Sequence, residues 1–174
     1  EAFDPGIDRL DVLVNCAGTV AYKRQEYTVP TFRHVLDVNL IGMMHMCTKY
    51  HPLLQETGGN IINVTSVASL KATPGNPAYS ASKGGGYTMT RSFAHAWGSG
   101  GVRVNAILPG LVDTKLTAIT KENPERYEAS IKRTPLRRWG TPEEMAGVAL
   151  FLASPMAAFV TGEGIVVDGG ANLM

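Results

Sequence analysis

Three features that would assign the chain to a specialised class of protein are scarce or missing in the sequence. It contains two cysteines, Cys16 and Cys47, at a spacing that matches neither a metal-binding nor a redox motif. We therefore expect reduced thiols, a cytoplasmic location and no metal site. The formal net charge of +1 gives no electrostatic reason to expect nucleic acid or an anionic membrane as a partner. No apolar run reaches the roughly 18 residues of a membrane span.

The rest of the composition is typical of a globular domain. Hydrophobic residues make up 44% of the 174 positions and charged residues 18%, so we expect one domain over residues 1–174 with a sizeable core. Four apolar runs predict β-strands, at residues 11–15, 60–66, 102–108 and 164–169. Three of these runs are rich in Val and Ile at consecutive positions, as is typical of strands that are buried on both faces.

Longer helical patterns separate the predicted strands. The first extends from about Thr31 to Leu54 and is expected to end near Pro52, since proline interrupts helices. The second extends from about Ala78 to Trp97 and is followed by a glycine-rich stop signal. Strands that alternate with helices predict an α/β fold, a doubly wound parallel sheet with right-handed crossovers and helices on both faces.

Two later segments differ in their pattern. Thr141, Pro142 and Glu144 form a capping box with proline at the first helical position, which predicts the start of a third helix. Residues 115–138 are polar, charged and only weakly periodic. We interpret this segment as a helical excursion that covers the substrate, not as part of the scaffold.

Tyr79 and Lys83 are one helical turn apart within the stretch NPAYSASKGG, so their side chains are expected on the same helix face. A fixed cation beside a phenol favours the phenolate, which makes the pair a candidate for proton transfer. On spacing alone, an ordinary contact on a helix surface is the simpler explanation. The rest of the chain has to decide between the two.

Other polar residues follow the predicted strands, and in an open parallel sheet ligands bind at the carboxyl ends of the strands. The first strand ends in NCAG, the second at Ser66 and the third at Pro109 and Gly110. Asn39 lies inside the first predicted helix, where asparagine is unfavourable because its side chain competes for backbone hydrogen bonds. If it has no special role, we expect it to face solvent.

Six segments, taken in order along the chain, resemble the short-chain dehydrogenase/reductase family: NCAG, VNLIG, NVTSVAS, YSASK, NAILPGLVDT and TGEGIVVDGG. The resemblance extends from the first predicted strand to the last. It implies a Rossmann-like sheet and an oxidoreductase that transfers hydride between NAD or NADP and a carbonyl or secondary alcohol. Substrates of this kind include 3-oxoacyl thioesters, sugars or polyols, and hydroxysteroids. The resemblance also implies a homo-oligomer, either a dimer or a tetramer.

The resemblance assigns roles to individual residues. Tyr79 would be the general acid or base, and Ser66 would donate a hydrogen bond to the substrate oxygen. Lys83 would lower the pKa of Tyr79 and hold the nicotinamide ribose, and Asn39 would hold a water that links Lys83 to solvent. The main chain of Val112 would bind the carboxamide. The cofactor contacts implied in this way are Asn15, Ala17, Gly18, Tyr79, Lys83, Pro109, Gly110, Val112 and Thr114.

The sequence departs from the family in one major respect. The glycine-rich turn that holds the pyrophosphate in dinucleotide-binding folds, G-x-G-x-x-G, has no match. We therefore expect a sheet truncated at the N-terminus, with about four strands, and no basis for choosing between NAD and NADP. Cys16 stands where the family has a second asparagine. Two alternatives to an enzyme stay open, an inactive fragment and a non-catalytic protein with a dinucleotide-binding fold.

Two further features have more than one interpretation. The three glycines at 84–86 are unfavourable within a helix, so we expect their backbone to approach either the cofactor ribose or a partner helix closely. Lys132, Arg133, Arg137 and Arg138 form a basic cluster. This cluster either meets an anionic substrate or is a solvated surface.

Overall fold

Four parallel strands form the sheet in the computed structural model, which describes residues 6–71 and 73–173. Their spatial order follows the chain: β1 (Val12–Asn15), β2 (Asn60–Val64), β3 (Arg103–Pro109) and β4 (Gly164–Val167). The register pairs Asn15 with Asn63 and Pro109 with Val167, so the carboxyl ends of the strands lie along one edge. The predicted parallel sheet of about four strands is confirmed.

The first helix is longer than predicted. It has three consecutive parts, α1 (Val29–Leu36), a π-helical turn (Asp37–Ile41) and α2 (Gly42–Thr57). It ends at Gly58, which has a φ of 60°, so the prediction that it ends near Pro52 is wrong. Tyr50 and Leu54 are buried on either side of Pro52, and this packing outweighs the hydrogen bond that proline cannot make.

The remaining helices are α3 (Pro77–Trp97), α4 (Ala118–Lys121), α5 (Pro124–Arg133) and α6 (Pro142–Ala153). The capping box before α6 is present, with Glu144 Oε2 accepting from the Thr141 N–H at 2.9 Å. Residues 115–138 include α4 and α5, whereas their role as a cover for the substrate stays a prediction. Within residues 6–71 and 73–173, no helix combines the length and the apolar character needed to cross a membrane.

Hydrophobic clusters pack on both faces of the sheet. Ile61 belongs to one cluster and Ile62 to the other, because successive side chains of a strand point to opposite faces. The first cluster joins the sheet to α2 and α3 through residues such as Leu54 and Ala94. The second joins it to α6 through Leu152. The expected arrangement of helices on both faces is therefore confirmed.

The glycines of α3 allow this helix to pass close to the first helix. A Cβ at Gly85 would lie 3.0 Å from Leu40 Cδ2, and a Cβ at Gly86 would lie 3.3 Å from Met43 Sδ. A Cβ at Gly84 would meet nothing closer than 4.0 Å. The close approach expected of these glycines is present, but the neighbouring helix belongs to the same chain.

Candidate active site

Ser66, Tyr79 and Lys83 lie at the carboxyl edge of the sheet. Ser66 lies two residues after the end of β2, is 8% exposed, and its Oγ accepts from the Ala68 N–H at 3.1 Å. Tyr79 and Lys83 lie in the first two turns of α3, with Lys83 Nζ 5.7 Å from the centroid of the Tyr79 ring. Lys83 Nζ donates to the carbonyl of Val64, the last residue of β2, at 2.9 Å. The edge of the sheet thus gathers a hydroxyl, a phenol and an amine.

Burial dominates the electrostatics of the tyrosine and lysine. It raises the pKa of Tyr79, and the Ser66 hydroxyl opposes this rise while the Glu26 carboxylate adds to it. Burial also lowers the pKa of Lys83 to about 8, against the opposing effect of Cys16. The shift of the Tyr79 pKa is thus opposite to the lowering expected from the amine, because loss of solvent around the phenol outweighs the hydrogen bond with Ser66. An exposed surface contact is also excluded, since Lys83 is only 4% exposed.

Asn39 is fully buried within the π-helical turn, so it does not face solvent. Its Oδ1 accepts from the Thr19 N–H at 2.7 Å, and its Nδ2 donates to the Thr19 carbonyl at 2.9 Å and to Ser82 Oγ at 3.0 Å. Ser82 Oγ in turn donates to the Tyr79 carbonyl at 2.8 Å. Asn39 thus ties the loop after β1 to the first turn of α3, and its role in holding a water stays a prediction.

Asn15 is expected beside the cofactor, and its side chain is buried against β2 and α2. It is 9% exposed, and its Nδ2 donates to Asn63 Oδ1 at 2.8 Å and to Cys47 Sγ at 3.2 Å. Asn63 Nδ2 continues the chain of bonds to Thr90 Oγ1 at 2.9 Å. The Asn15 side chain therefore stabilises the contact between β1 and β2.

Ala17 and Gly18 lie exposed in the loop that follows β1. A Cβ at Gly18 would lie 3.3 Å from Lys83 Nζ and 3.5 Å from Asn39 Oδ1. Glycine therefore allows the backbone of the loop after β1 to pass close to the lysine amine and to Asn39.

The segment after β3 forms a further part of the edge. Gly110 passes so close to the end of β4 that a Cβ would lie 2.6 Å from Asp168 Cβ. Val112 is buried, and its carbonyl accepts from Thr117 Oγ1 at 2.6 Å. Its N–H has no acceptor among the residues that the structure describes. Thr114 caps the short 3-10 turn at 115–117.

Glu26 also belongs to the site, although no motif indicates it. It is 1% exposed, and its carboxylate accepts from the Ala21 N–H at 3.0 Å and the Tyr79 N–H at 2.9 Å. Asn76 Nδ2 lies 3.5 Å from the same carboxylate. In the sequence it stands among polar residues (KRQEY), and no local pattern distinguishes a buried carboxylate from its exposed neighbours.

The basic cluster at the end of the 115–138 segment is solvated. Lys132, Arg133, Arg137 and Arg138 are all exposed. Arg138 pairs with Glu144 at 2.6 Å, and Arg137 donates to the Lys132 carbonyl. These contacts favour the interpretation of the cluster as a surface.

Known proteins resemble the chain over almost its whole length. The family model described as enoyl-(acyl carrier protein) reductase matches residues 1–172. A 2-dehydro-3-deoxy-D-gluconate 5-dehydrogenase from Bacillus subtilis (strain 168) is 37% identical over 165 residues, which cover 93% of this chain and 65% of the relative. A 3-oxoacyl-[acyl-carrier-protein] reductase from Thermotoga maritima is 38% identical over 170 residues, 93% of this chain and 66% of the relative.

A solved structure gives the same result for the fold. The crystal structure of a gluconate 5-dehydrogenase from Burkholderia cenocepacia J2315, in complex with NADP and tartrate, has a TM-score of 0.93 at 31% identity. The match covers 97% of this chain and 67% of that one. The chain thus spans about two thirds of the length of the curated relatives, 65% and 66% for the two named above. With a family model matched over residues 1–172 and a shared fold, the chain belongs to the short-chain dehydrogenase/reductase family.

Proposed function

We propose that the protein is an NAD(P)-dependent oxidoreductase that interconverts a carbonyl and a secondary alcohol. The observation that carries this proposal is the grouping of Ser66, Tyr79 and Lys83 at the sheet edge, with the lysine amine beside Gly18. A buried amine is unfavourable for folding, since burial lowers its pKa. A protein that only needed the fold would have no reason to retain that amine next to a phenol.

Proton transfer is the task of Tyr79 in this proposal. In the reduction direction, its hydroxyl donates a proton to the substrate oxygen, and the Ser66 hydroxyl donates a hydrogen bond to the same oxygen as negative charge develops. The raised pKa keeps the phenol protonated near neutral pH, which suits a proton donor. In the oxidation direction the phenolate accepts the proton, and a protonated Lys83 stabilises that phenolate.

The nicotinamide supplies hydride chemistry when the cofactor is bound, and the residues present fit its nicotinamide and ribose end. The Lys83 amine lies close to the Gly18 backbone at the sheet edge and would bind ribose hydroxyls. The N–H of Val112, which has no acceptor among the described residues, would bind the carboxamide oxygen. The NADP in the Burkholderia relative supports NAD or NADP as the cofactor. Further contacts are expected from Asn15, Ala17, Pro109, Gly110 and Thr114.

The substrate is expected to be a small molecule. The two curated relatives are named for a gluconate derivative and for a 3-oxoacyl group, which supports sugar acids or acyl thioesters over hydroxysteroids. Residues 115–138 would cover it, because α4 and α5 extend from the end of the segment that follows β3. The proposal also includes a dimer or tetramer, which rests on the family resemblance, and a cytoplasmic location, which rests on the expectation of reduced thiols.

The replacement of Tyr79 by Phe in the intact protein tests the proposal. Tyr79→Phe removes the transferable proton and keeps the ring, so we expect kcat to fall by about 10²–10⁴-fold. Affinity for NAD(P)H, measured by fluorescence titration, should change little. Tyr87→Phe is the matched control, because Tyr87 lies two turns further along α3 and packs against β4. Near-normal turnover of Tyr79→Phe would refute the role of Tyr79 as the proton donor, whereas a wild-type protein that turns over no carbonyl or alcohol would favour a non-catalytic role for the fold.

A further inference from the structure

A cavity of about 530 Å³ opens between the loop after β1, the loop before α3 and the helices of the 115–138 segment. This volume lies within the range of about 300–1,000 Å³ that is usual for small-molecule sites. The residues that line it are Tyr22, Lys23, Arg24, Gly75, Asn76, Ile119, Asn123 and Arg126. The cavity is thus formed by three segments that are distant in the sequence.

All the charged side chains that line the cavity are cationic. Lys23, Arg24 and Arg126 line it, and no carboxylate does. None of the three cations forms an ion pair with a carboxylate of residues 6–71 or 73–173. Unpaired cations around a concave space attract an anionic ligand and raise its local concentration.

The cavity adjoins the candidate active site. Asn76 lines it and immediately precedes α3, the helix that carries Tyr79. Tyr22 lines it as well, and Tyr79 is close enough to contribute, after burial, to the raised pKa of Tyr22. A ligand in the cavity could therefore extend one end toward the Tyr79 hydroxyl.

The backbone of the loop after β1 is unusual where it meets the cavity. Lys23 and Arg24 have φ values of 57° and 60°, in the left-handed region that residues other than glycine rarely adopt. Two consecutive residues in this conformation place both cationic side chains at the cavity. Strained backbone of this kind is often found at functional sites.

We propose that this cavity binds the anionic end of the substrate, a carboxylate or phosphate on a hydroxylated carbon chain, and so determines the substrate class. The three cations bind the anion. Hydroxyls of the ligand bind the groups that are left by hydrogen bonds within the chain: Asn76 Oδ1, Asn123 Nδ2 and the phenol oxygen of Tyr22 as an acceptor. The inference rests on the proposed oxidoreductase function. This anion site is separate from the basic cluster of Lys132, Arg133, Arg137 and Arg138, because none of these four residues lines the cavity.

Three probes of equal carbon number separate the possible anions. D-Sorbitol is neutral, D-gluconate carries a carboxylate and D-sorbitol 6-phosphate carries a phosphate. In the proposed reaction each would be oxidised by NAD⁺ or NADP⁺ at a secondary alcohol, which would lose its hydride to the cofactor and its proton through Tyr79 to solvent. We expect the intact protein to have a kcat/KM for gluconate or for the phosphate ester at least about 10-fold above that for sorbitol. One charge-assisted hydrogen bond to the anion is enough to give a factor of this size.

Arg126→Gln should remove most of that preference through a higher KM, with little change for sorbitol. Arg133→Gln is the matched control, because Arg133 lies on the same helix, is exposed and does not line the cavity. Equal kcat/KM values for the three probes, or a preference that Arg126→Gln leaves intact, would overturn the inference while the oxidoreductase function stands.

Calorimetric titration with tartrate gives a readout that does not depend on turnover. We expect Arg126→Gln to weaken tartrate binding about 10-fold or more and Arg133→Gln to leave it unchanged. If no probe is oxidised but this pattern of binding is observed, the anion site is supported and the proposed reaction is wrong. If tartrate does not bind, or binds both variants equally, the anion site is wrong.

Discussion

The carboxylate of Glu26 accepts a hydrogen bond from the backbone N–H of Tyr79 at 2.9 Å, across 53 positions of sequence. The same carboxylate accepts from the Ala21 N–H, so one buried side chain joins the loop after β1 to the start of α3. A carboxylate at this place also interacts favourably with the positive end of the helix dipole. Glu26 therefore fixes the position of the helix that presents Tyr79.

Glu26→Gln should alter both stability and the pH profile. An amide offers one acceptor oxygen and has no charge, so we expect the free energy of unfolding to fall by about 1–3 kcal/mol. The Glu26 carboxylate contributes to the raised pKa of Tyr79, so its loss should lower that pKa. The pH at which reduction loses activity, and at which oxidation gains it, should then move to lower values.

Chemical denaturation and pH profiles of kcat/KM measure the two effects. Glu125→Gln is the control, because Glu125 is an exposed carboxylate in the first turn of α5. The prediction fails if the profile of Glu26→Gln coincides with that of the wild type. If Glu26→Gln loses stability but keeps the wild-type pH profile, the role of Glu26 is structural only.

The glycines of α3 make a second prediction about stability. Gly84 has room for a methyl group, so Gly84→Ala should stabilise the protein by about 0.5–1 kcal/mol through its better helix propensity. Gly86 is buried against Met43 and Thr65, so Gly86→Leu should destabilise it by about 1–3 kcal/mol or more. Thermal unfolding compares the two variants. Sedimentation should give an unchanged particle size for Gly84→Ala, and an equal stability for both variants would contradict the packing explanation.

How much could be predicted depends on how local the cause is. The strands and α3 follow from short apolar runs and helical periodicity, which are visible in neighbouring residues. The end of the first helix could not be predicted, because burial of Leu54 in the core outweighs the local rule for Pro52. Glu26 and the cavity could not be predicted either. Both depend on segments that only the tertiary structure brings together.

The two cysteines should differ sharply in reactivity. Cys47 is fully buried, and burial raises its pKa to about 12, although its hydrogen bonds with Asn15 and Asn63 act in the opposite direction. Cys16 is exposed in the loop after β1. Since the thiolate is the reactive form, iodoacetamide should modify Cys16 in the folded protein and Cys47 only after unfolding.

Protection of Cys16 gives a test of cofactor position. Cys16 is close enough to Lys83 to influence its pKa, so a nicotinamide cofactor held by Lys83 should slow alkylation of Cys16. Mass spectrometry with and without NADP⁺ measures the rate at each thiol, and Cys16→Ser identifies the peptide. Equal rates of Cys16 modification with saturating cofactor would show that the cofactor does not cover this loop.

Lys83 should destabilise the protein in the absence of nucleotide. Its folded pKa of about 8 lies below the ordinary value of 10.5, because burial disfavours the charged form. Between these two pH values the unfolded chain binds more protons than the folded chain, so the free energy of unfolding contributed by this group rises with pH. Below pH 8 the lysine is protonated in both states and the full cost of burying the charge is present.

Lys83→Met removes this cost and also the hydrogen bond to the Val64 carbonyl, which is worth about 1 kcal/mol. We therefore expect Lys83→Met to raise the free energy of unfolding at pH 7 by about 1–2 kcal/mol, while abolishing turnover. The gain should shrink as the pH rises from 8 to 10.5. Urea denaturation across this range measures it, with Lys132→Met as an exposed control. A Lys83→Met variant that is less stable than the wild type at pH 7, or a difference independent of pH, would mean that Lys83 is not buried as a costly charge.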